Sequence, residues 1–132
     1  MEGLAMKKGM GGKGKQAIGT LVGQLFAIRT YAHIAHLKTG SYSQHVALDE
    51  FYTGIVDLAD SIAEVGQGLY GKLDIPTVNV NGNVDKPASV LENQLNEIKK
   101  LRMNCDNKGI QAIVDNVEIL FSTTIYKLKE LS

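Results

Sequence analysis

Three observations predict an all-α fold: an antiparallel four-helix bundle with a long crossing connection between its second and third helices. Apolar residues recur at steps of three and four through four separate stretches. Short segments rich in Gly, Asn, Asp and Pro divide those stretches. The one strand-like run, Val78, Val80 and the following Asn81-Gly82, hints at a hairpin but has no partner sheet. A chain of 132 residues, 44% apolar and 21% charged, fits one globular domain around a single core.

Each element follows from local chemistry. Residues 1–13 are Gly-rich and carry Lys7, Lys8 and Lys13, so they are expected to form a flexible arm, with the bundle occupying residues 14–132. The first helix spans Gln16 to Lys38, with Ile18, Leu21, Val22, Leu25, Ile28, Ala32 and Ala35 as its buried face and Gly40 as its stop. Ser41 and Gln44 have capping-box spacing and open the second helix almost at once, so the first two helices are antiparallel neighbours. That second helix runs from about Tyr42 to Tyr70 on a seam of Leu48, Phe51, Ile55, Leu58, Ile62, Val65 and Leu69, and Gly71 ends it. Residues 72–86 form the crossing loop. Asp85 and Pro87 announce the third helix, packed through Val90, Leu91, Leu95, Ile98 and Leu101. After a break at Asp106–Gly109, the fourth helix buries Ile110, Ile113, Val114, Val117, Leu120, Phe121, Ile125 and Leu128.

Composition removes several function classes. Fourteen basic residues balance fourteen acidic ones, so the bulk chain does not call for nucleic acid. The single Cys105 cannot form an internal disulfide and fits a reducing compartment, as a buried or bystander thiol. The basic start and following apolar run imitate a signal peptide, but Thr20, Gly23 and Gln24 interrupt the run and no cleavage pattern follows. A cytoplasmic protein without a membrane span is expected. Gly9, Gly14 and Lys15 have P-loop spacing, yet Gln16 stands where a magnesium-binding hydroxyl is needed and no strand precedes it. Lys7, Lys8, Lys13 and Lys15 offer a few phosphate contacts, a weak basis for DNA binding in a neutral chain.

The informative feature is a polar stripe. All three histidines, His33, His36 and His45, fall within 13 consecutive positions. On the second helix His45, Asp49, Asp60 and Glu64 share one face, opposite the apolar seam. A solvated face is the ordinary reading of such a stripe. Its gaps, however, hold Thr53, Val56 and Ala63, which suit contact with another helix better than water. The short turn brings His33 and His45 to one level, where imidazole and carboxylate form a ligand set for iron, manganese or zinc. One chain cannot complete the site, because Asp60 lies about 22 Å along the helix from His45. Two antiparallel copies of the helix, related by a two-fold axis near Thr53–Val56, would bring Asp60 and Glu64 of one chain to the histidines of the other. His36, three residues from His33, is a further ligand or, by the plainer reading, a solvent-facing or hydrogen-bonded histidine. Tyr52 and Tyr126 read as core or interface.

The spacing of this set, His33, His45 twelve later, Asp49 four later, then Asp60 and Glu64, resembles the Dps mini-ferritins over His33 to Gly71. The run "HVALDEFYTGIVDLADSIAEVGQGLYG" looks similar to that family's second helix. The resemblance implies a ferritin-like four-helix bundle assembled as a two-fold dimer and on into a hollow dodecamer. It also implies iron sites shared between subunits, His33, His45 and Asp49 from one chain and Asp60 and Glu64 from its mate. Such proteins oxidise Fe(II), typically with hydrogen peroxide, and store the ferric product. This sequence departs from the family at Ile34-Ala35, where a Trp-Asn pair usually follows the first histidine, and in its short second half. Compact ferritin-like proteins also look similar to proteins of bacteriophage genomes, which makes a virion-associated structural role, without iron oxidation, the competing expectation.

Overall fold

The computed structural model describes the backbone of residues 2–131 and the side chains of residues 12–131. Its described residues form four helices and no strand: α1 (Glu2–Lys38), α2 (Tyr42–Tyr70), α3 (Pro87–Arg102) and α4 (Lys108–Glu130). The backbone of residues 2–13 continues α1, where an arm was expected; this stretch has no proline to stop a helix that starts within it.

The helices begin and end where side chains satisfy backbone groups. Ser41 caps α2 by accepting from the Gln44 amide, at 3.3 Å. Gln44 does not close a reciprocal box. Thr39 bridges instead, its hydroxyl donating to Gln44 Oε1 (2.8 Å) and accepting from the Ser41 amide (3.1 Å). Asn107 caps α4 by accepting from the Ile110 amide at 3.0 Å. Pro87 opens α3, where its missing N–H leaves no bond unmade.

Packing follows the apolar faces. The seven predicted core positions of α1, from Ile18 to Ala35, are all buried. Phe51 of α2 meets Phe121 of α4 edge to face, with ring centroids 5.0 Å apart. The seam of α2 rotates away from its expected line at the far end. Val65 and Leu69 stand exposed, and Ala59 and Gly66 are buried in their place. The absence of a side chain at Gly66 admits Ile18 and Leu73, which a Cβ there would meet at 2.9 and 3.3 Å.

α1 packs on α2 and α3, and α4 packs on the same two, so α2 and α3 lie diagonally without touching. Residues 12–15 of α1, the ends of α2 and α3 and the start of α4 surround one cleft, on the side of the bundle away from the α1–α2 turn. At the other end Lys127 of α4 reaches Glu50 of α2 (2.9 Å) and Lys129 reaches Glu92 of α3 (3.1 Å). The connection 71–86 returns between these ends alongside α1. Its Asp74 and Pro76 carbonyls sit where a Cβ on Gly19 or Gly23 would collide with them, and Tyr31 donates to the Asn83 carbonyl at 2.7 Å. No helix among the described residues is long and apolar enough to cross a membrane.

Candidate metal centre

At the end of the bundle where α1 turns into α2, antiparallel pairing puts His36 beside His45. The two rings stack at 3.7 Å between centroids, 20° from parallel. Each reaches across to the other helix: His36 Nδ1 donates to the His45 carbonyl at 2.7 Å, and His45 Nδ1 donates to the His36 carbonyl at 2.9 Å. A carbonyl can only accept, so both rings carry their proton on Nδ1. Nε2 of each ring has no partner among the described residues. Fixing one imidazole nitrogen on a carbonyl is how proteins orient the other nitrogen toward a metal.

Tyr52, nearly three turns into α2, joins His33, His36 and Asp49. Its ring stacks on His33 of α1 at 4.2 Å and 13°, and stands edge-on to His36 at 5.4 Å. Its phenol hydrogen-bonds to Asp49, one turn back on the same helix. The hydrogen bond to that carboxylate, then burial, then the charge of Asp49 hold the phenol above its ordinary range. Tyr52 thus touches His33, His36 and Asp49, while His45 joins them only through its stack on His36. Tyr52 is half-buried against the core, as expected, while Tyr126 is 57% exposed.

Asp60 and Glu64 are exposed further along α2, and neither has an ion-pair partner among the described residues. At about 1.5 Å per residue, Asp60 is about 22 Å from His45 along the helix. One chain therefore does not bring the five motif residues together. The described residues contain no group of three or more His, Cys, Asp or Glu side chains placed to hold a metal ion. Around the histidine end, Ile34, Leu37 and Tyr42 are exposed, Tyr42 by 81%. Along the stripe, Thr53 is exposed and Val56 and Ala63 half-buried.

One link escapes the sequence reading: the Asp49-x-x-Tyr52 spacing puts the phenol within reach of the carboxylate. His36 is 8% exposed and hydrogen-bonded, in line with the hydrogen-bonded alternative and against the solvent-facing one. Of the lysines considered for DNA, Lys7 and Lys8 have side chains outside the described residues, and Lys13 and Lys15 lie on α1 toward the opposite end of the bundle.

The chain is 28% identical, over 111 residues, to an uncharacterized 14.6 kDa protein in the mobD-ri intergenic region of Enterobacteria phage T4; the similarity covers 81% of this chain and 84% of the phage protein. No solved structure matches it. A model of the family of unknown function DUF5856 matches residues 36–128, which take in the stacked histidine pair, Tyr52 and all three acidic residues of the stripe. By that match, which spans most of the bundle, this protein belongs to the DUF5856 family.

Proposed function

We propose that this protein is a Dps-like ferroxidase, oxidising Fe(II) at sites shared between the two chains of a two-fold dimer and retaining the ferric product. One observation carries the reading. His33 and Asp49 meet at Tyr52, and His45 stacks on the neighbouring His36 with its Nε2 unpartnered, while Asp60 and Glu64 stand exposed and without ion-pair partners among the described residues on the same stripe. A solvated stripe has no need for a half-set of oriented imidazoles at one end and a free carboxylate pair at the other. The exposed Leu37 and Tyr42 and the small residues between the acids favour a helix partner over water. The long connection beside α1, with α2 and α3 ending together, is compatible with a ferritin-like crossover. A hollow dodecamer is the assembly the resemblance implies.

In this reading iron is the substrate. Two Fe(II) each give one electron to hydrogen peroxide; its O–O bond breaks, and with two water molecules the products are two ferric oxyhydroxide units and four protons. Imidazole and carboxylate donors accept manganese or zinc in the same geometry.

The test is complementation. His45 is spared because it also braces the turn. His33→Ala/Asp49→Ala and Asp60→Ala/Glu64→Ala variants are each expected to lose saturable, peroxide-dependent ferric absorbance. Mixed subunits regain one intact site per mixed dimer and recover part of the activity. Mixing proven by mass spectrometry with no recovery rejects the shared site.

The relative in phage T4 favours a second reading, a helical assembly protein of the virion without redox chemistry. Wild-type protein that assembles but takes up no iron above the blank would favour it.

A further inference from the structure

The end of the bundle opposite the histidines holds an open cleft of about 1590 Å³. The cleft is cationic although the chain as a whole has no net charge. Lys13 and Lys15 enter it from α1, Lys99 from α3 and Lys108 from α4. None of these four has a carboxylate partner among the described residues. Arg102, by contrast, is committed: it bonds to Glu118 and Asp115 at 2.7 Å each and to Gln111 at 2.8 Å, bracing α3 on α4. Its Asp115 is neutralised in the process, which leaves Asp106 as the one lining carboxylate set against four free ammonium groups. Like charges gathered at one end of a neutral protein raise its energy until an anion shares the space.

The remaining wall is apolar and open. Met103 is 82% exposed and Leu69 48%, and Tyr70 lies beside them. A bare phosphate would use the lysines and leave that wall wet. A polynucleotide is tracked by cations strung along a stripe, whereas these converge from three helices around one concavity. The volume exceeds the roughly 300–1,000 Å³ typical of small-ligand pockets, so one compact ligand with a ring and several phosphates fits with water to spare.

We propose that this cleft binds a nucleoside polyphosphate, its phosphates on Lys13, Lys15, Lys99 and Lys108 and its base against Tyr70, Leu69 and Met103. The site is independent of the iron chemistry at the other end. It is tested by isothermal titration of the full-length protein in metal-free, low-salt buffer, with ATP, inorganic tripolyphosphate and a single-stranded oligonucleotide as separate probes. ATP is expected to bind saturably with one site per chain, more tightly than tripolyphosphate. Lys99→Ala/Lys108→Ala should weaken it about tenfold or more, by the loss of charge-assisted hydrogen bonds. Both lysines are exposed, so the variant should melt like the wild type, and a melting curve checks this. Met103→Ala should weaken ATP and leave tripolyphosphate unchanged. The proposal is overturned by any of three results: no saturable ATP binding at millimolar concentration, equal affinity for ATP in a folded Lys99→Ala/Lys108→Ala variant, or an oligonucleotide that binds more tightly than ATP with a footprint longer than one nucleotide.

Discussion

The histidine pair shows how one side chain can serve both fold and site. His36 is almost fully buried, and its ring both braces the α1–α2 turn and covers one face of His45. Removing it leaves the His45 carbonyl without its donor and opens a void beside the ring. We expect His36→Ala to lower stability by about 2 kcal/mol, from the lost hydrogen bond and the cavity, as measured by urea unfolding. A cost below a few tenths of a kcal/mol would mean that the clamp does not form in solution. Tyr31 offers a residue-scale test of burial. Burial first, and the charge of Asp85 second, push its phenol up from 10.0 to about 12, and burial pushes the Cys105 thiol from 9.0 to about 11. Both groups are neutral when protonated, and the folded state holds the proton more tightly. Their contributions are therefore intact below pH 9.0 for Cys105 and 10.0 for Tyr31, and are lost as pH rises through about 11 and 12. Tyr31→Phe should flatten the loss of stability between pH 10 and 12; an unchanged slope would place the alkaline sensitivity elsewhere.

At the scale of elements, the periodic helices were legible because each carries its signal locally. The bounds of α2, Tyr42 to Tyr70, follow from Ser41 and Gly71, and the start of α3 from Pro87. The exposed Val65 and Leu69 were not legible, since a seam read from apolar residues alone cannot register that Gly66 and Ala59 are the positions that let neighbours approach. The candidate site is legible as a set of spacings and opaque as a geometry. His33, His45 and Asp49 announce themselves by type, but the link through Tyr52 and the reciprocal hydrogen bonds of His36 depend on how far α1 slides along α2, which no local pattern encodes. The connection 71–86 can be probed through the helix it lies on. Gly19→Ala drives a methyl into the Asp74 carbonyl, a backbone atom that cannot rotate away, and should cost about 1–3 kcal/mol. Gly68→Ala meets nothing within 4 Å on an exposed face of α2 and should stabilise by about 0.5–1 kcal/mol through helix propensity. Melting temperatures that move in the same direction for both would argue against the close passage of the connection over α1.

For the molecule as a whole, the two ends carry different chemistry: imidazole and carboxylate at one, free ammonium groups at the other. If the polar stripe of α2 is where two copies meet, the acids of both copies are brought together beside the histidines, and a bound cation relieves the repulsion among the carboxylates. Dimerisation measured by sedimentation is then expected to strengthen with Fe(II), Mn(II) or Zn(II) and to weaken with chelator. Asp60→Asn/Glu64→Gln should abolish the metal dependence while leaving the melting temperature within a few degrees, because both side chains are exposed and lack ion-pair partners among the described residues. A dimer indifferent to metal would exclude a shared cation as the link.

Residues 74–82 of the connection make no hydrogen bond to the rest of the chain among the described residues. The covalent link there joins two helical hairpins, α1–α2 and α3–α4, whose mutual grip lies in the packed faces of α1 on α3 and α2 on α4. A protease able to enter at Asn79–Asn81 would therefore cut the backbone without releasing either half. The nicked protein should migrate as one species until denatured. Separately expressed halves should find each other again, because most of the surface that holds them lies between the helices, with Leu73, Val80 and Val84 of the connection adding a smaller apolar contact.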